Sequence, residues 1–446
     1  MNAPLEPIGT PMSFRFPLPK GEGGCPTESP HGSSVEAVDI GRRRESCRYP
    51  RTRTHYPDCQ RPTQTERRHM TTTLSSISTS PLPWPNQREL PETTRPLPAG
   101  TTVISADSHW LETGEFIDRM PAKYRDRAPR GVFNERGFHM EIDGETTDNP
   151  AMPSEMIEGR SGMWDAGIRV EEISREGVDQ EILFPQRMLG VIRNKDFDYI
   201  QACMDAYNEM LADFCAEYPD KLHGLALLNY WDPDRTEDEL QKIKALGFKG
   251  VLMPSLPPPH AKVYYNARAL EPMWKAIGEA GLPLSFHVGE TFDARGQGGL
   301  ATTIVVAFQP FRRLFALLAF AGIFERNPGI RVVFTEGGIS WVPSALFDCD
   351  KVYASFESEM TPKLAKPPSH YWFENCYATF IEDPSGLRQL DLIGVDKVLW
   401  GSDYPHPESA VGYTQQSLWD VFDATDSVED AQKIVGGNAQ KVWGLA

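Results

Sequence analysis

The stretch VISADSHWLE, Val103 to Glu112, ends a short apolar run in an acid and a histidine one residue apart. Side chains i and i+2 on a strand leave the same face, so Asp107 and His109 point together. Two hydrophilic groups side by side add nothing to a core. In a doubly wound open sheet, the first strand would run into a Gly-rich phosphate turn. Here Asp-Ser-His stands in that place. The competing architecture is a closed parallel barrel, whose strand ends converge on one face.

The chain downstream decides between them. From residue 101, short β-branched apolar runs alternate with longer segments of helical spacing. The expected strands are 102–107, 179–185, 223–229, 248–254, 282–288, 330–336, 375–380 and 396–403. Helices are expected at 198–218, 234–246, 267–280, 302–326, 340–357 and 384–393, then near 409–421, 428–435 and 437–443. The strands are apolar nearly throughout, as parallel strands covered on both faces must be. The pattern predicts one (β/α)8 TIM barrel over residues 101–446. The first crossover, about 108 to 178, is long and holds RGVFNERGFHMEIDGE, two alternating runs that predict a β-hairpin inserted as a lid over the barrel mouth.

Residues 1–69 differ in kind. They are Pro-rich, with 11 Lys/Arg against 8 Asp/Glu and no period able to bury a face, which predicts disorder. They are either a basic targeting or interaction tail or a stretch upstream of a start at Met70. Residues 70–100 are expected to form an extended Ser/Thr/Pro-rich arm.

Composition excludes several roles. With 40% apolar residues, 10 Trp and 22 Phe, the chain can bury a sizeable core. A net charge of −17 argues against nucleic acid, which wants a basic face. No run of about 18 apolar residues offers a membrane span, and the first residues do not read as a secretory leader. Seven scattered cysteines show neither a disulfide framework nor a zinc spacing, so the expected compartment is the cytoplasm.

On the barrel reading, the strand ends gather Asp107 and His109 from the first strand, His287 from the fifth, Glu336 from the sixth and Asp403 from the eighth, with His406 just beyond. Imidazole nitrogens and carboxylate oxygens are the ligands of a catalytic divalent ion, Zn2+ first, with Mn2+ or Fe2+ as alternatives. Each residue alone has an ordinary structural explanation; their coincidence at strand ends is what points to a metal.

Five fragments carry a more specific likeness: SADSHWLE, LSFHVGE, VVFTEGGISWVPSAL, VLWGSDYPHPES and the closing GGNAQKVWGL. In this order, over about residues 101 to 446, they resemble the amidohydrolase-related family that includes aminocarboxymuconate-semialdehyde decarboxylase and hydroxybenzoate-type decarboxylases. The resemblance implies that Asp107, His109, His287 and Asp403 hold one divalent ion at the barrel mouth, and that Asp403 also exchanges a proton with substrate or water. It further implies a homodimer or higher homo-oligomer. Several members have His-x-His or Glu-x-His where this chain has Asp-Ser-His, so Asp107 either binds the ion or orients His109. Decarboxylases of the family often carry a histidine at the end of strand six, where this chain has Glu336.

The expected activity is therefore decarboxylation of an aromatic or cyclic organic acid, with hydrolysis of a cyclic ester, amide or C–C bond by a metal-activated water as the alternative. Asp403, Glu336 and His287 are the candidate catalytic groups. Glu336 is a ligand, an acid/base, a partner of an imidazole N–H, or simply an N-cap-like acid before a helix near Ile339. His406 is expected to support the site. Trp110 and Trp164 either stack on a flat substrate or pack in the core. Arg169, Arg187 and Arg193 are available for a substrate carboxylate or for surface ion pairs.

Overall fold

The computed structural model describes residues 95–446 except 113, 135–136, 147–160, 263, 289–296, 298, 300–301, 303–304, 307–310 and 407–408. The expectations for residues 1–69 and 70–94 lie outside the described residues. Of the expected arm, residues 95–100 are described. There Arg95 lies over the Trp419 ring at 3.4 Å and pairs with Asp423 at 3.3 Å.

Eight parallel strands form one sheet in sequential order: β1 (Ile104–Trp110), β5 (Gln180–Pro185), β6 (Leu222–Leu227), β7 (Gly250–Pro254), β8 (Leu284–His287), β9 (Val332–Thr335), β10 (Cys376–Phe380) and β11 (Val398–Trp400). All eight expected strands are present. Gln180 is the one residue of these strands that is not buried. Burial this complete follows from apolar runs with helices on one side and the barrel interior on the other. The sheet closes on itself beyond β11. Asp403 N–H donates to the Asp107 carbonyl (2.8 Å) and His109 N–H to the Tyr404 carbonyl (2.6 Å), with Ser108 and Tyr404 bridged in parallel. The first and last strands therefore meet where Asp107, His109 and Asp403 lie.

The expected insertion is present as a second, antiparallel sheet of β2 (Arg130–Asn134), β3 (Gly137–Ile142) and β4 (Glu145–Thr146). Asp143 and Gly144 join β3 to β4 with φ of 57° and 75°. That is the left-handed pair a two-residue hairpin turn requires. Arg127 ties Asp143 to Asp196 (2.9 Å to the latter), and Asn194 donates to Asp143 at 3.1 Å. Asn194 and Asp196 follow the C-terminal end of β5, so the insertion is fastened on the mouth side of the barrel.

The helices depart from expectation in several places, and the one expected at 384–393 is two short helices, Pro384–Leu387 and Leu390–Ile393. The single helix expected at 302–326 is divided into Phe311–Phe320 and Ile323–Arg326, because Gly322 adopts φ +70° between them. Residues 302–310 lie largely outside the described residues. Four helices among the described residues were not anticipated, two of them the single turns Phe116–Arg119 and Met188–Val191. Ala166–Glu176, inside the long crossover, is opened by Asp165 capping the Ile168 N–H and closed by left-handed Gly177. Pro368–Asn375 begins at a proline, suited to the first turn because it lacks an N–H. Among the described residues no helix is long and apolar enough to cross a membrane.

Candidate metal centre

Asp107, His109, His287 and Asp403, taken from β1, β8 and the end of β11, converge at the C-terminal face of the barrel, and His406 joins them. The ligand atoms form two overlapping clusters, Asp107–His109–His287 and His109–Asp403–His406, each within 4.8 Å. His287 Nε2 lies 3.3 Å from Asp107 Oδ1 and 3.5 Å from Glu336 Oε2. His109 Nε2 is 3.4 Å from Asp403 Oδ1 and 3.9 Å from Asp107 Oδ1, and His406 Nδ1 is 2.9 Å from Asp403 Oδ1.

The imidazoles are turned to present a lone pair. His109 Nδ1 bonds the Pro185 carbonyl (3.1 Å) and His287 Nδ1 the Val288 carbonyl (2.8 Å). A carbonyl can only accept, so each of these nitrogens carries the proton and donates it. Both Nε2 atoms then face the centre. His406 Nε2 bonds the Gln186 side-chain oxygen at 2.9 Å, which turns its Nδ1 toward Asp403. Asp107 does not orient His109, because the Pro185 carbonyl already does so.

The backbone makes room for the carboxylates. β1 shifts register against β5 between Ser105 and Ser108, an irregularity common beside functional sites. Glu336 and Asp403 adopt φ of 68° and 55°. Left-handed backbone is unfavourable for side chains of this kind, and it persists where the surroundings dictate it. At Asp403 the Asp107 carbonyl fixes the N–H, while the Asp403 carbonyl accepts the His406 N–H at 3.0 Å.

Three carboxyl groups lie in one buried cluster. Burial raises Asp107 and, together with the charge of Asp403, pushes Glu336 well above the usual carboxylate range. Burial opposes charge on Asp403 as well, yet His406 and His109 outweigh it and hold that carboxyl ionised. Burial and then His406 bring the His109 imidazolium down to about 3. Burial also opposes charge on His287, but the charge and hydrogen bond of Asp107, and after them Glu336, overcome it and raise His287 to about 9. Among the described residues, Asp107 Oδ2, His109 Nε2 and both Asp403 oxygens are buried without a hydrogen-bond partner. Buried polar atoms of this kind are rarely left so. The chemistry of these donors, imidazole nitrogen and carboxylate oxygen, fits a divalent cation, which would offset the carboxylate repulsion.

Comparison with known proteins identifies the family and the fold. The family model described as amidohydrolase matches residues 101–445. The chain belongs to the amidohydrolase family. Among curated relatives of this amidohydrolase, gamma-resorcylate decarboxylase of Rhodococcus jostii is 26% identical over 255 residues, covering 53% of this chain and 75% of the relative. The 2-amino-3-carboxymuconate-6-semialdehyde decarboxylase of Dictyostelium discoideum is 24% identical over 312 residues, 65% and 81% respectively. Solved structures share the barrel. An amidohydrolase from Mycobacterium avium subsp. paratuberculosis superposes with a TM-score of 0.65 at 19% identity, covering 77% of this chain and all of that one. A 5-carboxyvanillate decarboxylase from Novosphingobium aromaticivorans, complexed with manganese and 4-hydroxy-3-methoxy-5-nitrobenzoic acid, has a TM-score of 0.59 at 23% identity, covering 78% and 97%.

Several expected residues lie elsewhere. Trp110 is 2% exposed and packs against Tyr207 and Phe214, ring centroids 5.8 and 5.7 Å away, because it points from β1 toward the helix Phe197–Ala216. It is a core residue, not a stacking platform. Arg169 is fully buried and engaged with Glu181 and the His109 carbonyl, so it does not reach a substrate. Glu336 is no helix cap: Asp383 takes the Ile339 and Ser340 N–H groups at 2.8 and 2.7 Å. Trp164 is half-buried after Ser161–Met163, a turn tied to β1 by the Leu111 N–H to Met163 carbonyl bond of 3.0 Å. Arg187 donates to the Glu112 carbonyl at 2.6 Å, and Arg193 is half-buried on the following loop. Sequence reading missed Gln186 and the Pro185 and Val288 carbonyls. Only Gln186 left a trace, a polar residue directly after an apolar strand.

Proposed function

We propose that this protein is a divalent-metal-dependent carboxy-lyase releasing CO2 from an aromatic or cyclic organic acid. The observation carrying this reading is Asp403, a buried carboxylate set between two imidazoles, 2.9 Å from His406 Nδ1 and 3.4 Å from His109 Nε2, which hold it ionised. The decarboxylase activities named for the curated relatives support it.

Asp107, His109, His287 and Asp403 would hold one ion, with His406 against Asp403. When bound, it would polarise a substrate carboxylate and an adjacent hydroxyl. Asp403 takes the hydroxyl proton and delivers it to the ring carbon bearing the carboxylate. The C–C bond then breaks, CO2 leaves, and the bonding electron pair restores the ring; solvent returns a proton to the phenolate oxygen. His406, with its side chain 20% exposed, is the member of the cluster that reaches toward solvent. Glu336 would hold His287 in place, and Trp164 would border the substrate. Zn2+, Mn2+ and Fe2+ all accept this donor set; zinc is the ion expected from the sequence, and the manganese in a structural neighbour makes Mn2+ the comparison to run beside it. A cytoplasmic homodimer or larger homo-oligomer belongs to the same reading.

Hydrolysis is the second reading, favoured by Asp403 being held ionised, which makes it a ready base for water. One assay separates the two. Metal-loaded protein is incubated with hydroxybenzoates, dihydroxybenzoates and lactones while CO2 and new acid are both measured. CO2 release with loss of the carboxyl group is expected. Acid formation without CO2 would establish the hydrolase instead, and failure to take up any divalent ion would remove both.

A further inference from the structure

The geometry points to Arg169 and Glu181 as a buried positioning pair that sets the ligand geometry of Asp107, His109 and Asp403. Both side chains have no exposure, and Arg169 Nε donates to Glu181 Oε2 at 2.6 Å. Further contacts of the pair end on ligand-bearing segments. The other Glu181 oxygen accepts the Ser108 hydroxyl at 2.8 Å, between Asp107 and His109. Arg169 Nη1 donates to the His109 carbonyl at 2.7 Å and to the Gly162 carbonyl at 3.3 Å. The guanidinium lies over the Tyr404 ring, 4.2 Å from its centroid, one residue past Asp403. On the other side of Asp403, the Ser402 hydroxyl sits 3.0 Å from that of Ser105 and 3.2 Å from that of Ser108.

The pair thus grips both edges of the seam where the barrel closes, yet bonds to no side-chain atom that faces the ion site. Apolar side chains of similar volume commonly serve stability as well as a buried ion pair or better, so stability alone does not account for charges here. A planar fork with donors fixed in two directions does account for them. It locks the His109 carbonyl and the Glu181–Ser108 contact at once, which a single-point donor cannot do.

This inference rests on the metal-site reading above, and its test keeps the two apart. Mn2+ or Zn2+ alone is titrated into chelator-stripped full-length protein, wild type beside Arg169→Lys and the neutral pair Arg169→Met/Glu181→Gln. Melting of each stripped protein, and kcat and KM on any substrate found, are measured in parallel. Ion binding by the wild type and about 10- to 100-fold weaker binding by the double variant are expected, the range typical when groups that orient metal ligands are lost. Melting should stay near that of the wild type, with kcat reduced and KM little changed. Arg169→Lys should likewise keep melting near that of the wild type without recovering ion affinity. Wild-type affinity in either folded variant would overturn the inference, as would loss of folding in both, which would make the pair a support of the fold alone. A wild type that takes up no ion would instead overturn the metal-site reading on which the inference stands.

Discussion

The Nε2 of His287 lies 3.3 Å from Oδ1 of Asp107, close enough for one to hold a proton for the other. With protein groups alone, that proton sits on His287, whose pKa is raised from 6.5 to about 9. A group raised in the folded state stabilises the fold fully below its unfolded value and loses that contribution as pH climbs through the folded one. Chelator-stripped protein should therefore lose stability between about pH 6.5 and 9, read by thermal melts across that window.

The same proton competes with a cation, since a ligating imidazole must be neutral. Metal uptake should release protons, and apparent affinity should rise with pH over the same interval. Calorimetric titration in buffers of different ionisation enthalpy counts the protons. Affinity independent of pH there would remove His287 from the ligand set.

Asp403→Asn removes the base while keeping shape. Turnover of metal-loaded protein should fall by about 10²- to 10⁴-fold, the range for a positioned acid/base. Circular dichroism and melting should show an intact barrel. Full activity in this variant would rule out the proton transfer assigned to Asp403.

Trp110→Ala should cost about 3–5 kcal/mol of stability through the cavity left behind. The ring's lost neighbours there are Tyr207 and Phe214, and denaturant unfolding measures the effect. Because the ring faces the helix, KM at permissive temperature should remain close to wild type, and a large rise in KM would return Trp110 to the substrate pocket.

Gln186→Leu removes the acceptor of His406 Nε2. The imidazole then loses the bond that turns Nδ1 toward Asp403, so kcat should fall more than KM rises. A pH–rate profile displaced relative to wild type would report the altered His406–Asp403 pair.

The eight strands were legible because burial on both faces leaves an unmistakable apolar run, as in ILFP or VVFT. The convergence of Asp107, His109, His287 and Asp403 was legible for a related reason: a parallel barrel brings successive strand ends to one face, so position along a strand is position in space. Side-chain direction beyond the strand was not legible. Trp110 and His109 are neighbours in sequence, yet one packs outward on a helix and the other looks into the barrel. Arg169 read as a surface cation because its helix lay hidden in a long crossover whose capping signals, Asp165 and Gly177, bracket only 11 residues. Glu336 read equally well as a helix cap, since the competing cap, Asp383, stands 47 positions further along the chain (383 against 336).

The ring orientation of His109 and His287 depends on carbonyls of Pro185 and Val288, groups that every amino acid carries. Substitution at position 288 that leaves the backbone path unchanged preserves the acceptor whatever side chain arrives. Sequence drift at these two positions is thereby uncoupled from the chemistry, so their identity in other members of the family says little about whether the histidines still point inward.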